Sequence, residues 1–294
     1  MFVKRITSNS MVIGAPAKVN LFLEVLKKRP DGYHDINSLF QAVSLFDRIT
    51  FALADHAGIV IRSSNQDIGI QENNLVTKAW RLLETKFGLS QGLDVQLEKN
   101  IPVGGGLGGG SADAAATLLA GNLLLDLGLS EMDLRVLASQ IGSDVPFFFT
   151  GGQAVATGRG ELLEETELPQ DYWILLVTPP LMLSTAASYA GLNLTLTESK
   201  NPFKLGVCRT ALELFDQLRL SGNDFEGQHR ISYPVLARIA ESLSRNGALL
   251  VRMSGSGSSM FGLFEAAPEL DNGLFASEPD WLVHLVRPVQ LPRW

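Results

Sequence analysis

Cysteine is nearly absent, since the 294 residues contain a single one, Cys208. One cysteine excludes an internal disulfide and a zinc site built from several thiolates. We expect Cys208 to be a buried thiol in a helix. Positive charge is also in deficit, because 31 acidic residues against 24 lysines and arginines give a net charge of −7. A chain with this balance is not expected to bind nucleic acid nonspecifically.

Long apolar runs are missing as well. No stretch reaches the roughly 18 residues needed to cross a bilayer, and the first ten residues lack the hydrophobic core of a signal peptide. We therefore expect a soluble, cytoplasmic protein without a membrane partner. The composition is otherwise that of a globular protein, 46% hydrophobic and 19% charged. It can supply a core for one large or two smaller domains.

Glycine is concentrated in one short loop. Residues 104–111 read Gly-Gly-Gly-Leu-Gly-Gly-Gly-Ser, between a strand-like segment at 93–97 and an apolar helix predicted over 111–127. Glycine permits positive φ and lets a ligand approach the backbone closely. A helix start adds free N–H groups and the positive end of the helix dipole. The loop therefore predicts a cradle for nucleotide phosphates, with a flexible linker as the alternative.

The common nucleotide-binding motifs do not fit this loop. No lysine follows the last glycine, as the standard P-loop requires. Gly104, Gly106 and Gly109 match the dinucleotide pattern G-x-G-x-x-G, but so many glycines match almost any glycine pattern. The His-Arg-Asp and Asp-Phe-Gly motifs of protein kinases are absent. The sequence thus indicates a nucleoside triphosphate held in a less common frame.

Strands and helices are mixed without regular alternation, which predicts an α+β fold. The predicted strands are 17–25, 42–53, 58–62, 93–97, 153–157, 173–178, 248–253, 260–265 and 281–286. A predicted helix capped by Asn73 or Asn74 ends at Gly88, and the other predicted helices are 111–127, 130–142, 184–191, 207–219 and 234–245. The break at Pro179-Pro180 suggests a boundary between 160 and 180. We place the domains at 1–165 and 166–294.

Lys18 and Asp144 are candidates for catalysis. The apolar alternation from 17 to 25 places Lys18 and Asn20 on one face of a strand. Asp144 lies between Gly142 and Pro146, just ahead of three phenylalanines. An aspartate and a lysine across a cleft can orient a hydroxyl proton and neutralise a transferring phosphoryl group. The structural alternatives are a solvated lysine on a strand and an Asx turn or cap at Asp144.

Two further segments could complete a site. In the turn Asp31-Gly32-Tyr33-His34, Tyr33 offers a stacking face and His34 a ring nitrogen for a base edge, although a histidine in a turn is more often incidental. A second loop, 253–259, reads Met-Ser-Gly-Ser-Gly-Ser-Ser. By itself it would be a hairpin turn, but beside the first glycine loop it could support a phosphate site. The other three histidines show no metal-ligand spacing: His56, His229 and His284.

Taken in order, these motifs resemble those of the GHMP kinase superfamily. The resemblance covers essentially the whole chain and is carried by 16–21, 31–34, 102–113, 142–147 and 254–257. It implies a two-domain GHMP kinase fold with the active site in the cleft. The N-terminal, ATP-binding domain would be like ribosomal protein S5 domain 2, and the C-terminal, substrate-binding domain would be ferredoxin-like. The cofactors implied are ATP and Mg²⁺, and the protein would be a monomer or weak homodimer.

The Lys-Val-Asn strand and the Asp-Gly-Tyr-His turn are most similar to one branch of that superfamily. Its members phosphorylate the 2-hydroxyl of a cytidine diphosphate-linked methylerythritol in the non-mevalonate isoprenoid pathway. The resemblance implies that Asp144 deprotonates or orients this hydroxyl, paired with Lys18, and that Asn20 positions the substrate. Tyr33 would stack on cytosine and His34 would read its edge. Tyr189 is implied on the other base face, and the lesser substrate contacts implied are Phe40 and Thr185.

The resemblance also implies an ATP site. Its residues would be Lys99, Asn74, Pro102, Val103, Gly104, Gly105, Gly106, Leu107, Gly108, Gly109, Gly110, Ser111 and Ala112. Many members read Gly-Gly-Gly-Ser-Ser-Asp, and here Ala112 replaces the second serine. Ser111 remains for Mg²⁺ or phosphate. The acidic metal ligand of some GHMP kinases has no clear counterpart, so the Mg²⁺ ligands stay open.

Two alternatives remain at this point. The chain could be another small-molecule GHMP kinase, acting on mevalonate, homoserine or a sugar, which would have no use for an aromatic base clamp. It could also be a nucleotide-binding module without catalysis. The presence of both Lys18 and Asp144 argues against the second alternative.

Overall fold

The computed structural model describes residues 1–63, 74–192, 202–269, 275 and 278–294. Within these ranges the chain forms two β-sheets and seven α-helices, which confirms the predicted α+β class. Among the described helices, none combines the length and the apolar character that a bilayer span requires.

The first sheet is built around a long hairpin. The order of its main strands is β1-β2-β3-β5-β4, while β6 pairs with β3 and β7 pairs with β6. All pairs are antiparallel except β4 with β5. The strands are β1 (Phe2–Thr7), β2 (Ser10–Lys28), β3 (His34–Ala54), β4 (Ile59–Ser63), β5 (Gly92–Glu98), β6 (Gln153–Thr157) and β7 (Leu162–Glu165).

Helices cover one face of this sheet. They are α1 (Leu75–Phe87), α2 (Gly109–Leu124) and α3 (Glu131–Ser139), followed by a 3₁₀ turn at Val145–Phe149. The α2 helix is alanine- and leucine-rich and almost entirely buried, so it can pack closely against both α1 and β2. The predicted caps are confirmed at Asn74, which accepts a hydrogen bond from the Val76 N–H, and at Gly88, which is left-handed with φ 64°. The alternative cap, Asn73, lies outside the described residues.

The second sheet is fully antiparallel in the order β11-β8-β10-β9. Its strands are β8 (Trp173–Thr178), β9 (Leu250–Met253), β10 (Met260–Phe264) and β11 (Leu282–Val286). The remaining helices are α4 (Thr185–Ala190), α5 (Ala211–Leu218), α6 (Glu226–Ser232) and α7 (Pro234–Arg245).

The long strand β2 joins the two halves. Its apolar row, Ala17, Val19 and Leu21, shares a buried cluster with Leu176 of β8 and Phe215 of α5. The alternate row of β2 carries Lys18 and Asn20, as the period of two predicts. Both of these polar residues are nevertheless buried, because β2 is covered on both faces. The strand therefore positions polar side chains in an interior cleft.

The connection from β7 to β8 changes sheets, and the predicted domain boundary at 165/166 lies in it. This division stays a prediction. The chain end returns to the first sheet, because Val289 N donates to Ala42 O (3.0 Å) and Leu291 N donates to Gly151 O (2.9 Å). The predicted second domain therefore includes a tail that packs on the first sheet.

Several boundaries differ from the predictions for local reasons. Helix α2 begins at Gly109, two residues before the predicted start, since the left-handed Gly108 (φ 71°) directly precedes it. Helix α5 begins at Ala211, not at 207, because Thr210 is its cap. Cys208 is a buried thiol as expected, but the prediction that it lies in a helix is wrong. The patterning also missed β1, β7 and α6, which are short and have few buried residues.

Candidate active site

The conformation of the glycine loop requires glycine at several positions, and a neighbouring strand holds the loop in place. Gly104, Gly106 and Gly108 all have positive φ (72°, 74° and 71°), which a side chain would disfavour. Close approach adds a second requirement, because a Cβ on Gly106 would lie 2.2 Å from the carbonyl oxygen of Ser254. Lys18 N donates to Leu107 O at 2.9 Å and ties the loop to β2.

A cavity of about 640 Å³ opens over this loop. It is lined by residues 102–111 together with Asn74, Leu75, Lys99, Asp113 and Thr185. The predicted ATP residues thus line one cavity, except Ala112, which does not line it and is fully buried. Bare backbone at the start of α2 suits an anion.

The second glycine loop braces the first. Ser259 N donates to Gly105 O (3.1 Å), and Ser254 Oγ donates to Gly106 O (2.9 Å). Ser254 Oγ also accepts a hydrogen bond from Asn20 N at 3.3 Å. These bonds connect β2, the glycine loop at 104–111 (the phosphate loop below) and the β9–β10 turn. That turn is the segment 253–259, so its expected supporting role has a direct structural basis.

Lys18 and Asp144 meet beside the phosphate loop. Lys18 Nζ lies 3.1 Å from Asp144 Oδ2, and it donates to Asn20 Oδ1 at 2.6 Å. Asn20 is fixed in turn because its Nδ2 donates to Ser38 Oγ (2.9 Å). The Lys18 side chain is only 3% exposed, whereas that of Asp144 is 32% exposed. The carboxylate is therefore accessible from the cleft, and the ammonium lies behind it.

Phe40 lines the cleft and also contacts Lys18. The Lys18 Nζ is 4.5 Å from the Phe40 ring centroid, a cation–π distance. Phe40 packs edge-to-face on Phe147 of the 3₁₀ turn that follows Asp144 (5.4 Å between ring centroids). The phenylalanines after Asp144 thus form an apolar wall behind the pair, and they fix the ammonium and the carboxylate in one geometry.

Under the phosphate loop lies a buried charge cluster that sequence reasoning did not assemble. Lys99 Nζ contacts the carboxylate of Asp47 and lies 2.8 Å from Asp113 Oδ2. Asp47 Oδ1 also accepts hydrogen bonds from Asn100 N (2.7 Å) and Ile101 N (2.9 Å). The cluster ties the end of β5 to the start of α2. Its signal in the sequence is Asp113, the single charged residue of α2.

Burial controls the ionisation of this cluster. Desolvation raises the pKa of Asp113 to about 7, against the opposing effect of the Lys99 charge. Burial by itself would lower the pKa of Lys99, but the charges of Asp113 and Asp47 raise it. The ammonium is therefore retained as a buried cation next to the phosphate cavity. Its predicted contact with the nucleotide stays a prediction.

Gly32, Tyr33 and His34 of the turn at 31–34 line a second cavity of about 420 Å³, which we call the aromatic cavity. The His34 and Tyr189 rings stack at 4.7 Å with 14° between their planes, so one face of Tyr189 is covered by His34. Tyr33 is 55% exposed, and the guanidinium carbon of Arg159 lies 4.9 Å from its ring centroid. Burial, and secondarily the charge of Lys28, lowers the pKa of His34 below its usual range, so the ring is neutral at neutral pH.

A smaller cavity of about 190 Å³ joins the other two. It holds Lys18, Asn20, Phe40 and Asp144, and it shares Gly106 and Gly108 with the phosphate cavity. It shares Arg159 and Tyr189 with the aromatic cavity. Thr185 lines all three and is hydrogen-bonded to Ser256 (2.9 Å between hydroxyl oxygens). The predicted catalytic and substrate residues thus lie along one groove, and Arg159 is a lining residue that the patterning missed.

Comparison with known proteins assigns the class of this fold and site. Models of the GHMP kinase N-terminal and C-terminal domains match residues 74–152 and 206–273, so the class is that of the GHMP kinases. A relative from Shouchella clausii is 41% identical over 283 residues, 94% of each chain, and one from Geobacter metallireducens is 38% identical over 95% of this chain and 98% of its own. Both are named 4-diphosphocytidyl-2-C-methyl-D-erythritol kinase. The chain belongs to their family.

Solved structures agree with this assignment. A crystal structure of 4-(cytidine 5'-diphospho)-2C-methyl-D-erythritol kinase is 32% identical and superposes with a TM-score of 0.72, over 94% of this chain and 99% of that one. A homoserine kinase from Cytophaga hutchinsonii superposes with a TM-score of 0.68 at 21% identity, over 99% and 98%. The second likeness shows the fold alone. The two-domain GHMP kinase fold expected from the sequence is confirmed.

Proposed function

We propose that this chain is an ATP-dependent kinase that phosphorylates the 2-hydroxyl of 4-diphosphocytidyl-2-C-methyl-D-erythritol in the non-mevalonate isoprenoid pathway. One observation carries the proposal: the phosphate cavity, the Lys18–Asp144 pair and the aromatic cavity are continuous, with Thr185 lining all three. ATP and a base-linked alcohol can therefore bind end to end with the reacting groups in the middle. The names of the relatives point to the same substrate.

Asp144 is the group that receives or orients the hydroxyl proton. Its carboxylate is reachable from the cleft and is held 3.1 Å from the Lys18 ammonium. Lys18 places a positive charge beside the carboxylate, where the phosphoryl group passes. Phosphoryl transfer depends mainly on alignment and charge stabilisation, so a fixed acid–amine pair next to a backbone cradle is sufficient machinery. Asn20 holds the lysine and borders the acceptor hydroxyl.

Mg²⁺ fits the donors present near the phosphate cavity. Within the described ranges, no three acidic, histidine or cysteine side chains gather as a metal cluster. The cavity does carry the Ser111 hydroxyl and the Asp113 carboxylate, whose buried Oδ1 has no hydrogen-bond partner. Mg²⁺ commonly takes one or two protein ligands and completes its shell with phosphate oxygens and water. It would neutralise phosphate charge, with Ser111 and Asp113 as the candidate protein ligands.

Cytosine recognition belongs to the aromatic cavity. Tyr33 supplies an exposed ring for stacking, and neutral His34 supplies a donor or an acceptor to the base edge. Tyr189, half-buried behind His34 and packed on Phe225 (4.9 Å between ring centroids), completes the aromatic wall. We further infer an ATP-binding first domain, a substrate-binding second domain, and a cytoplasmic monomer or weak homodimer.

The direct test is phosphoryl transfer by the purified chain. With ATP, Mg²⁺ and 4-diphosphocytidyl-2-C-methyl-D-erythritol, we expect equal amounts of ADP and of a phosphomonoester, detected by a coupled assay and by ³¹P NMR. Mevalonate and homoserine at the same concentration serve as matched acceptors and should give no product above the ATPase background. Absence of transfer to the cytidine compound, with transfer to another acceptor, would overturn the proposed substrate.

A further inference from the structure

Arg159 occupies the junction between the reacting groups and the base pocket. Three described residues line both the middle and the aromatic cavity, namely Arg159, Thr185 and Tyr189, and of these Arg159 alone is charged. In the proposed function the diphosphate of the substrate must cross this junction, because it links cytidine to the methylerythritol alcohol. We propose that the Arg159 guanidinium binds that diphosphate. The inference rests on the proposed function and adds a residue that decides its substrate specificity.

The backbone fixes where Arg159 can reach. It lies in the turn between β6 and β7, flanked by Gly158 (φ 66°) and Gly160 (φ 109°). Gly158 O accepts a hydrogen bond from Ile36 N at 2.8 Å, which docks the turn on β3. A Cβ placed on Gly160 would lie 3.7 Å from Asp144 Oδ1. The turn therefore passes directly beside the catalytic carboxylate.

The side chain then extends toward the base pocket. Its guanidinium carbon lies 4.9 Å from the Tyr33 ring centroid. Arg159 thus lines the middle cavity together with Asp144, and its guanidinium lies over the tyrosine proposed to stack on cytosine. A group that joins the acceptor alcohol to the base has to pass along this side chain.

Charge favours a phosphate at this position. The charged lining of the aromatic cavity is Lys28 and Arg159, with no carboxylate among the described lining residues. Arg159 Nε is 3.6 Å from Glu161 Oε1, and the other oxygen of that carboxylate accepts the Arg159 backbone N–H at 2.6 Å. A long, partly exposed ion pair of this kind is weak. It leaves planar N–H donors that match phosphate oxygens in a bidentate geometry.

A nested ligand series isolates this contact. Binding of cytidine, CMP and CDP to the full chain would be measured by isothermal titration calorimetry. We expect Arg159→Met to weaken CDP binding by about 10- to 100-fold, the range for hydrogen bonds to charged groups, and to change cytidine binding by less than about threefold. Arg159→Lys, a point charge without the planar fork, should fall between. In kinetics the KM for the cytidine substrate rises while the KM for ATP is unchanged.

Arg238→Met is the matched control, because Arg238 also lies over an aromatic ring (Trp281, 5.8 Å) but lines none of the described cavities. It should leave the CDP and cytidine affinities unchanged. Equal losses of cytidine and CDP affinity in Arg159→Met would show that the arginine only orders Tyr33, and CDP affinity equal to wild type would overturn the inference directly. If Arg159→Met does not fold, Arg159→Lys carries the test. A wild-type chain that binds neither ligand would refute the proposed function instead.

Discussion

The two ends of the groove are built from different parts of the polypeptide. At the phosphate end the lining is backbone: residues 104–110 carry almost no side chains, and a second loop braces them through main-chain oxygens. At the base end the lining is side chain: Tyr33, His34, Arg159 and Tyr189 make the walls. Between the two ends lie one lysine and one aspartate.

This difference separates phosphate binding, which all GHMP kinases need, from substrate binding, which differs between their families. A backbone cradle recognises phosphate in any nucleotide, so it can recur without change in kinases of different substrates. The homoserine kinase that superposes with a TM-score of 0.68 shares the fold of this chain. Fold does not select a substrate. Selection has to come from side chains at the other end, and substitutions should therefore affect the two ends differently.

The largest expected effect is at the middle of the groove. Asp144→Asn keeps the shape of the side chain and removes its basicity, so turnover should fall by about 10²- to 10⁴-fold, with ATP and CDP affinities within about threefold of wild type. Coupled ADP release and calorimetry measure the two quantities. The control is Asp55→Asn, an exposed aspartate that lines none of the described cavities. Turnover that survives Asp144→Asn within tenfold would remove this carboxylate from the mechanism.

The next effect tests whether the phosphate end depends on backbone. Gly106→Ala adds a Cβ 2.2 Å from the Ser254 carbonyl oxygen at φ 74°, so the two loops must separate. We expect kcat/KM for ATP to fall about 100-fold, the cost of a displacement near 1 Å. Gly128→Ala is the control, since Gly128 has φ 66° but no atom within 4 Å of an added Cβ. It should cost about 1–3 kcal/mol of stability without altering ATP kinetics, and equal ATP kinetics in both variants would contradict the close-packing argument.

A smaller effect is expected at the base end. Tyr33→Ala removes an exposed stacking ring, and base stacking on an aromatic side chain contributes about 1–3 kcal/mol. Affinity for cytidine and for CDP should fall together by about 5- to 150-fold, while the KM for ATP stays constant. Tyr33→Phe keeps the ring and should bind as wild type does. A chain whose acceptor affinity is indifferent to Tyr33→Ala would be a GHMP kinase without a cytosine clamp.

The features that could be predicted from sequence are those set by local geometry. The glycine loop can be recognised in the sequence because six of its seven positions from 104 to 110 are glycines without side chains. The period of two of a strand predicts that Lys18 and Asn20 lie on one face. A helix cap such as Asn74, which accepts a hydrogen bond from the Val76 N–H, depends on residues two apart. In each case the determining contacts lie within one element.

Features that depend on docking between elements could not be predicted. Asp47, Lys99 and Asp113 come from three segments and meet only when β3, β5 and α2 pack together. Arg159 reaches the groove because the β6–β7 turn docks on Ile36 of β3, and no periodicity carries that information. A structural role for Lys18 predicts a solvated side chain, yet it is 3% exposed, because Gly108 of the glycine loop and the ring of Phe40 pack against it. Burial of a face depends on what packs against it, which a strand's own residues do not specify.

The smallest expected effect distinguishes the two ends by pH. The pKa of His34 is lowered by burial and by Lys28, so the ring stays neutral below its ordinary pKa of about 6.5. As pH falls through the lowered pKa, His34 gains a proton, loses its acceptor nitrogen and adds charge beside Lys28. Cytidine affinity should therefore hold from pH 8 to about 6.5 and then fall, by at most tenfold per pH unit for one proton. The phosphate end carries a different titration, that of Asp113, whose pKa burial raises to about 7. Cytidine affinity would be measured by calorimetry as a function of pH, and the His34→Gln variant should lack the step. The control is His56→Gln, which should keep it. His56 lies in an exposed loop, where hydrogen bonds to Ala57 and Asp94 raise its pKa. If the step persists in His34→Gln, another group titrates, and His34 does not form the proposed hydrogen bond to the edge of the cytosine.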